Sequence, residues 1–342
     1  MGMDFRRRLP IPMEIKQELP LSDALVIKKA ERDWEVARVL KGESDRKLLI
    51  IGPCSADRED AVLEYCVRLA GLQEKVREKI VVIPRIHTNR ASKMGEGYKG
   101  MLHQPDPSRP TDMLAGIKAV RRLNLRVIEE TGLFAADEML YPETNRFLSD
   151  LLVYNIIGTR SVEDQEHRLV ASGLKTAVGV ATPTSGDMGI MLGSINTAQH
   201  SHTFLYRNWE CVSTGNSLAH ALLQGYVDAG GRKHPNYTYD SLQTLYNLYE
   251  DLGLKNPAAI VDCSHNNSRE DFREQPRIAA SVLDSCAESS DIAQLVKGFM
   301  VESYLEEGCQ PVGGGVYGKS VTDPCLGWDD TERLVLDIAE RL

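Results

Sequence analysis

The stretch Leu48-Leu49-Ile50-Ile51-Gly52-Pro53-Cys54 is a short, almost wholly apolar run that stops at a turn and a thiol. A run of this kind, without polar alternation, suits a strand buried on both faces, as in a parallel sheet covered by helices. Similar runs recur along the chain: IVVIPRI from Ile80, LFAADEM from Leu133, VYNIIGT from Val153, TAVGVAT from Thr176, HTFLYR from His202, AAIVDCSH from Ala258 and LVKGFMVE from Leu295. Longer amphipathic stretches separate them, beginning with EDAVLEYCVRLAGLQEKV. NSLAHALLQGYVDA fills the place after the sixth run and DTERLVLDIAERL follows the eighth. Apolar residues three and four apart give each such stretch one face to lay on a sheet. Strict alternation of eight strands with eight helices predicts a (β/α)8 TIM barrel. It would occupy residues 47–342, with residues 1–46 as an N-terminal helical extension interrupted by Pro20.

Composition bounds the function. The 342 residues are 42% hydrophobic and carry a net charge of -9, which disfavours nucleic acid or an anionic membrane as a bulk partner. No apolar run approaches bilayer length and no signal peptide is evident, so a cytoplasmic protein is expected. The seven cysteines are dispersed and lack CxxC spacing, which predicts reduced thiols, not a disulfide framework. Small anionic molecules are the expected partners, and a homodimer or homotetramer the expected assembly.

Four residues stand where a strand-like run gives way to a polar loop or in the loop that follows: Cys54, His265, Glu302 and, after GKS, Asp323. Taken singly, such residues are commonly packing or solvated loop ends. Together at the strand ends of one barrel they form a mixed thiolate, imidazole and carboxylate set, suited to a divalent ion such as Mn, Fe, Co or Zn. Arg85 and Arg160 follow the second and fourth runs, on the same rim. The planar guanidinium matches a carboxylate or phosphate through paired hydrogen bonds. The Gly-rich stretch 308–318 lies beyond the eighth strand and leads into Lys319 and Asp323, so it reads as an active-site loop.

Beyond these single residues, IIGPCS (50–55), PRIHTN (84–89), GYKGMLHQPDP (97–107), AADEML (135–140), GTRSVEDQEHRLVASGL (158–174), PTSGD (183–187), DCSHNNS (262–268), VESYLEEG (301–308) and YGKSVTDPCLGW (317–328) occur in an order that resembles the class I 3-deoxy-D-arabino-heptulosonate 7-phosphate (DAHP) synthase family over essentially the whole chain. The resemblance implies a metal-dependent barrel that condenses phosphoenolpyruvate with erythrose 4-phosphate, releases phosphate and opens the shikimate pathway. It implies that Cys54, His265, Glu302 and Asp323 hold the metal and that Arg85 and Arg160 bind the phosphoenolpyruvate anion. Glu138, Lys99 and His167 match family positions in or near the catalytic site.

The chain departs from the family at the substrate cations. Arg90-Ala91-Ser92-Lys93 stands where the family carries Lys-Pro-Arg-Thr, which handles the aldose phosphate and the reacting oxygens. Arg90 and Lys93 are the catalytic candidates there and Ser92 a substrate contact. Ala181 and Gln224 occupy positions where the family carries a Lys and an Arg against phosphoenolpyruvate. Charge-assisted hydrogen bonds to phosphate are worth about 1.5–3 kcal/mol each, so losing two cations weakens such binding by orders of magnitude unless others substitute. The expectation is therefore aldol-type carbon-carbon bond formation between a 2-oxo-acid-type donor and a carbonyl acceptor, on substrates diverged from the family's own. The alternatives are an ordinary DAHP synthase with compensating cations, or a non-catalytic partner protein that has kept the barrel.

Overall fold

The computed structural model describes residues 2–90 and 97–342; Ala91, Ser92 and Lys93 of the acceptor segment lie outside them. Eight parallel strands form one sheet: β1 (Lys47–Gly52), β2 (Ile80–Pro84), β3 (Ala135–Glu138), β4 (Leu152–Ile157), β5 (Ala177–Ala181), β6 (Ala219–Leu223), β7 (Ala259–Asp262) and β8 (Val296–Glu302). Their order is β2-β1-β8-β7-β6-β5-β4-β3. The two ends meet where Arg85 bridges Ala136 in parallel and the Ile86 N–H donates to the Ala136 carbonyl at 2.9 Å. A sheet closed on itself has no edge to protect. Nearly every strand residue is buried, because the barrel interior is packed on one face and the helices cover the other.

The helices are α1 (Pro12–Glu18) and α2 (Asp23–Leu40) ahead of the barrel, then α3 (Glu59–Val76), α4 (Met113–Thr131), α5 (Pro142–Leu148), α6 (Gln165–Gly173) and α7 (Met188–Gln199), each following its strand. The series ends with α8 (Tyr239–Asp251), α9 (Gln275–Glu288), α10 (Ser290–Leu295) and α11 (Trp328–Arg341). Local chemistry sets several boundaries. The Asp112 carboxylate accepts the N–H groups of Leu114 and Ala115 to start α4, and Gly132 ends it at φ 71° in the left-handed region.

One element departs from the sequence reading. HTFLYR is a strand (Thr203–Tyr206), but it pairs antiparallel with Trp209–Val212 in a hairpin outside the barrel. The sixth barrel strand is Ala219–Leu223, inside the segment NSLAHALLQGYVDA that the pattern predicts as a helix, and the covering helix is α8. The physical cause is plain. A five-residue run buried on both faces has no alternation to distinguish it from a short helix face. The hairpin strand, half-exposed, shows the alternation that a strand is expected to have. Gln224 consequently stands at the C-terminal end of β6, not in a helix.

The N-terminal helices are bound to the barrel. Ile15, Val36, Val39 and Leu40 are buried in the common core, and α2 lies against β1, β4 and β5. The fully buried Arg121 of α4 holds this arrangement: Nε donates to the Leu19 carbonyl (2.8 Å), Nη1 to that of Phe147 (2.8 Å), and both Nη atoms grip the Asp150 carboxylate at 2.9 and 2.8 Å. Breaking a buried ion pair costs about 3–5 kcal/mol, and Asp150 retains some access to water. Arg121→Met is therefore expected to lower stability by about 2–3 kcal/mol, read as an earlier midpoint in urea denaturation followed by circular dichroism.

Candidate active site and metal centre

The C-terminal ends of β1 and β8 deliver a thiol and a carboxylate to one point, and the loop before α11 adds a second carboxylate. Ligand atoms of Cys54, Glu302 and Asp323 all lie within 4.8 Å of one another, with Cys54 Sγ 3.2 Å from Asp323 Oδ2. His265, just beyond β7, brings Nε2 to 3.7 Å from Glu302 Oε1. Its other nitrogen, Nδ1, faces Asp262 Oδ2 at 2.8 Å, while Asp262 Oδ1 accepts from the N–H and the hydroxyl of Ser264. This is the carboxylate support that fixes the ring of a ligating histidine and leaves the far nitrogen for an ion. The His265 backbone sits at φ 50°, an uncommon conformation for a side chain of this size.

Charge compensation in this cluster comes from two arginines. Arg85 is buried: Nη1 donates to the Pro53 carbonyl at 2.6 Å, and Nη2 lies 3.0 Å from Glu302 Oε1. That approach is an ion pair without hydrogen-bond alignment, so Glu302 Oε1 and Arg85 Nε are both buried without a hydrogen-bond partner among the described residues. Arg90 spans the two outer ligands, reaching Cys54 Sγ at 3.2 Å, Ser55 Oγ at 3.3 Å and Asp323 Oδ2 at 2.9 Å. The titration behaviour follows. Burial and the Glu302 charge push the Cys54 thiol well up against the pull of Arg90. Burial opposes the His265 imidazolium, yet Asp262 and Glu302 outweigh it and lift that group to about 9. Burial would raise Asp323, but Arg90 and the Cys54 contact bring it below the usual carboxylate range.

The donor set fits a divalent transition ion. Thiol, imidazole and two carboxylates converge, and a buried carboxylate oxygen lacking any hydrogen bond is what an ion would satisfy. A bound dication would also favour the Cys54 thiolate that burial now disfavours.

The remaining candidates are distributed less evenly. Glu138 ends β3 with its carboxylate against Gly158, where a Cβ would lie 2.1 Å from Oε1 and the carboxylate would have to shift to admit a larger residue. Burial raises its acid, while Arg85, His265, Arg90 and His167 pull the other way, so the group belongs to the same electrostatic cluster. His167 has both ring nitrogens committed, Nδ1 to Asp164 Oδ2 at 2.6 Å and Nε2 to the Met139 carbonyl at 2.9 Å; it fastens the start of α6 to the loop after β3. Lys99 is half-buried, and its carbonyl accepts the Arg90 N–H at 3.2 Å. Arg160 is exposed in the turn after β4. Ala181 is fully buried at the end of β5. Gln224 donates through Nε2 to the Thr159 hydroxyl, and its N–H reaches the Thr182 hydroxyl at 3.3 Å.

Three further residues lie inside the quoted motifs without being singled out by them. His87 lies two positions beyond Arg85 and is buried, with Nε2 unpartnered among the described residues; burial, then Arg85, His265 and Arg90, push its pKa well below 6.5. Asp262, three residues before His265, supports the ring. Asp137 accepts the N–H (3.0 Å) and hydroxyl of Thr88 and so anchors the segment leading to Arg90. Strand alternation from Arg85 would have found His87; the other two depend on tertiary contacts.

Residues 14–336 match the family model described as the DAHP synthetase I family. The chain belongs to that family. It is 33% identical over 345 residues to the Phe-sensitive phospho-2-dehydro-3-deoxyheptonate aldolase of Escherichia coli (strain K12), covering 98% of this chain and 95% of the relative. Identity to the phospho-2-dehydro-3-deoxyheptonate aldolase of Haemophilus influenzae is 33% over 337 residues, with 96% and 90% covered. The solved structure of phospho-2-dehydro-3-deoxyheptonate aldolase from Francisella tularensis SCHU S4 superposes with a TM-score of 0.91 at 27% identity, covering 100% of this chain and 98% of that one. Among the described residues, no helix is long and apolar enough to cross a membrane.

The support of His265 by Asp262 is directly testable. Asp262→Asn should weaken Mn binding by about 10- to 100-fold, measured by calorimetric titration of metal-free protein, with the circular dichroism spectrum unchanged. Undiminished affinity would separate Asp262 from the metal centre.

Proposed function

We propose that this protein catalyses the condensation that its relatives' names describe in the reverse, aldolase sense: phosphoenolpyruvate joins erythrose 4-phosphate, a carbon-carbon bond forms, one water is consumed, and phosphate leaves. The observation that carries this reading is the convergence of Cys54, Glu302 and Asp323, with His265 and two arginines, at the C-terminal mouth of a closed barrel. The names of relatives aligned over nearly the whole chain support the choice of substrates.

Cys54, His265, Glu302 and Asp323 would hold the divalent ion, which when bound supplies Lewis-acid polarisation of a substrate oxygen or activation of water. The chain's own groups do the rest. Asp262 fixes the His265 ring. Arg85, held by the Pro53 carbonyl and Glu302, would turn its guanidinium charge toward a donor anion; among the described residues its buried Nε has no hydrogen-bond partner. Arg90 sets a second guanidinium at the ligand rim, where the family carries the Lys of its acceptor motif. Glu138, whose acid burial raises, would hold or release a proton during the reaction. Bringing two substrates into one oriented site supplies much of the rate.

A second reading, with a donor other than phosphoenolpyruvate, is favoured by one observation. Gln224 and Ala181, at the adjacent ends of β6 and β5, leave an uncharged patch of amide and hydroxyl groups with Thr159 and Thr182. A metal-stabilised enolate of a 2-oxo acid such as pyruvate or oxaloacetate needs fewer cations than a phosphorylated enol.

Phosphate release by the wild-type protein, with Mn and both phosphorylated substrates, separates the readings. A kcat/KM of about 10⁴ M⁻¹s⁻¹ or above, abolished by chelator and restored by Mn, is the expected result. If phosphoenolpyruvate is inert while a 2-oxo acid is consumed with an aldehyde, the second reading holds. In that case Gln224→Arg should tighten phosphoenolpyruvate binding by about tenfold or more, measured by competition against the true donor. A full rate without metal would sink both.

A further inference from the structure

At the opposite end of the barrel, where α2 covers the strand starts, a cavity of about 400 Å³ is lined by cations that the condensation does not use. Lys41, Arg46, Lys47 and Lys297 face it, with Asp45 as the one carboxylate in its lining. Two of these cations are already engaged. Lys47 Nζ donates to the Ala293 and Val296 carbonyls at the end of α10, and Arg46 pairs with Glu35 of α2.

Lys297 is different. It lies in β8, in the bottom layer of the barrel, and only 8% of it is exposed. Among the described residues, no group accepts a hydrogen bond from its Nζ or forms an ion pair with it. Its Nζ lies 3.3 Å from where a Cβ on Gly42 would stand, beside the chain leaving α2; Gly42, at φ 73°, suits both the turn and the approach. Burial, with the Lys47 charge close by, lowers the Lys297 ammonium to about 8. A bare ammonium in this position is unfavourable, and an apolar residue of the same length would serve packing better. What remains is a nearly buried cation, unpaired among the described residues, opening into a cavity whose other charged lining is three cations and Asp45. A small dianion would satisfy it.

We propose that this cavity is an anion site at the base of the barrel, taking inorganic phosphate or a small phosphate monoester between Lys297 and the exposed Lys41. The site joins α2 to β8, so occupancy fastens the N-terminal helices to the barrel and raises stability by mass action. The proposal does not depend on which substrates the mouth accepts.

The test separates the two ends of the barrel. Crystals of the full chain are soaked in tungstate, a strongly scattering phosphate surrogate, for wild type, Lys297→Met and Lys297→Arg. Anomalous density in the cavity is expected in wild type and Lys297→Arg and absent in Lys297→Met, with any density at the mouth common to all three. In solution, thermal unfolding is followed as inorganic phosphate is added. Phosphate should raise the wild-type midpoint, and Lys297→Met should need about tenfold more phosphate for the same rise. In phosphate-free buffer Lys297→Met should melt no lower than wild type, since it removes an unpaired charge, so misfolding does not mimic the result. No tungstate in the wild-type cavity, or equal density in Lys297→Met, overturns the proposal. Cavity density with identical phosphate responses in wild type and Lys297→Met marks an adventitious ion only, and overturns it as well.

Discussion

A carboxylate withdrawn from water must be matched by charge, and the architecture at the barrel mouth follows from how Glu302 is matched. Glu302 ends β8, hydrogen-bonded into a closed sheet, and its side chain is almost entirely buried. Arg85 lies across from it at 3.0 Å from the neighbouring side of the barrel, yet among the described residues one carboxylate oxygen has no hydrogen bond. Desolvating two charges is costly unless the pair is well aligned and its remaining valences are met. Here they are met only in part. The shortfall points toward Cys54, Asp323 and His265, which is where a divalent ion would complete the balance.

Around that centre, the site is ordered by supports outside it. Asp262 holds His265, Asp137 holds Thr88 ahead of the Arg90 segment, and Gly158 leaves the Glu138 carboxylate room in its present position. Each support sits on a barrel strand or immediately after one, so the rigidity of the sheet is passed to the candidate site groups. His167 contributes in the same way, through two hydrogen bonds that fasten α6. This division between groups that face the mouth and groups that hold them explains why a match to a family motif does not by itself identify a chemical role.

The cationic balance of the chain has two poles. At the mouth, the half-buried, neutral Gln224 ends β6 beside the buried Ala181 of β5, and positive charge is concentrated on Arg85 and Arg90 next to the acidic candidates. At the base, Lys297 and its neighbours leave positive charge only partly compensated. An overall charge of -9 conceals both features, because net charge reports solubility and long-range attraction, whereas recognition depends on a few desolvated groups.

The sequence alone determined the barrel, seven of its eight strands and the identity of the ligand candidates, because apolar runs and strand-end residues are local signals that burial on both faces makes unambiguous in most places. The sixth strand was the exception: Ala219–Leu223 is as apolar as a helix face, and only its hydrogen bonds to β5 and β7 decide its state. Likewise, Cys54, Glu302 and Asp323 could be nominated from position, but that their ligand atoms come within 4.8 Å was settled by closure of the sheet. The support of His265 by Asp262, the unsatisfied oxygen of Glu302, the second role of Gln224 as a partner of Thr159 and the stranded charge of Lys297 are all properties of distance and desolvation. Such properties arise between residues far apart in the chain, so no local pattern carries them; they come into being only when the barrel closes and expels water.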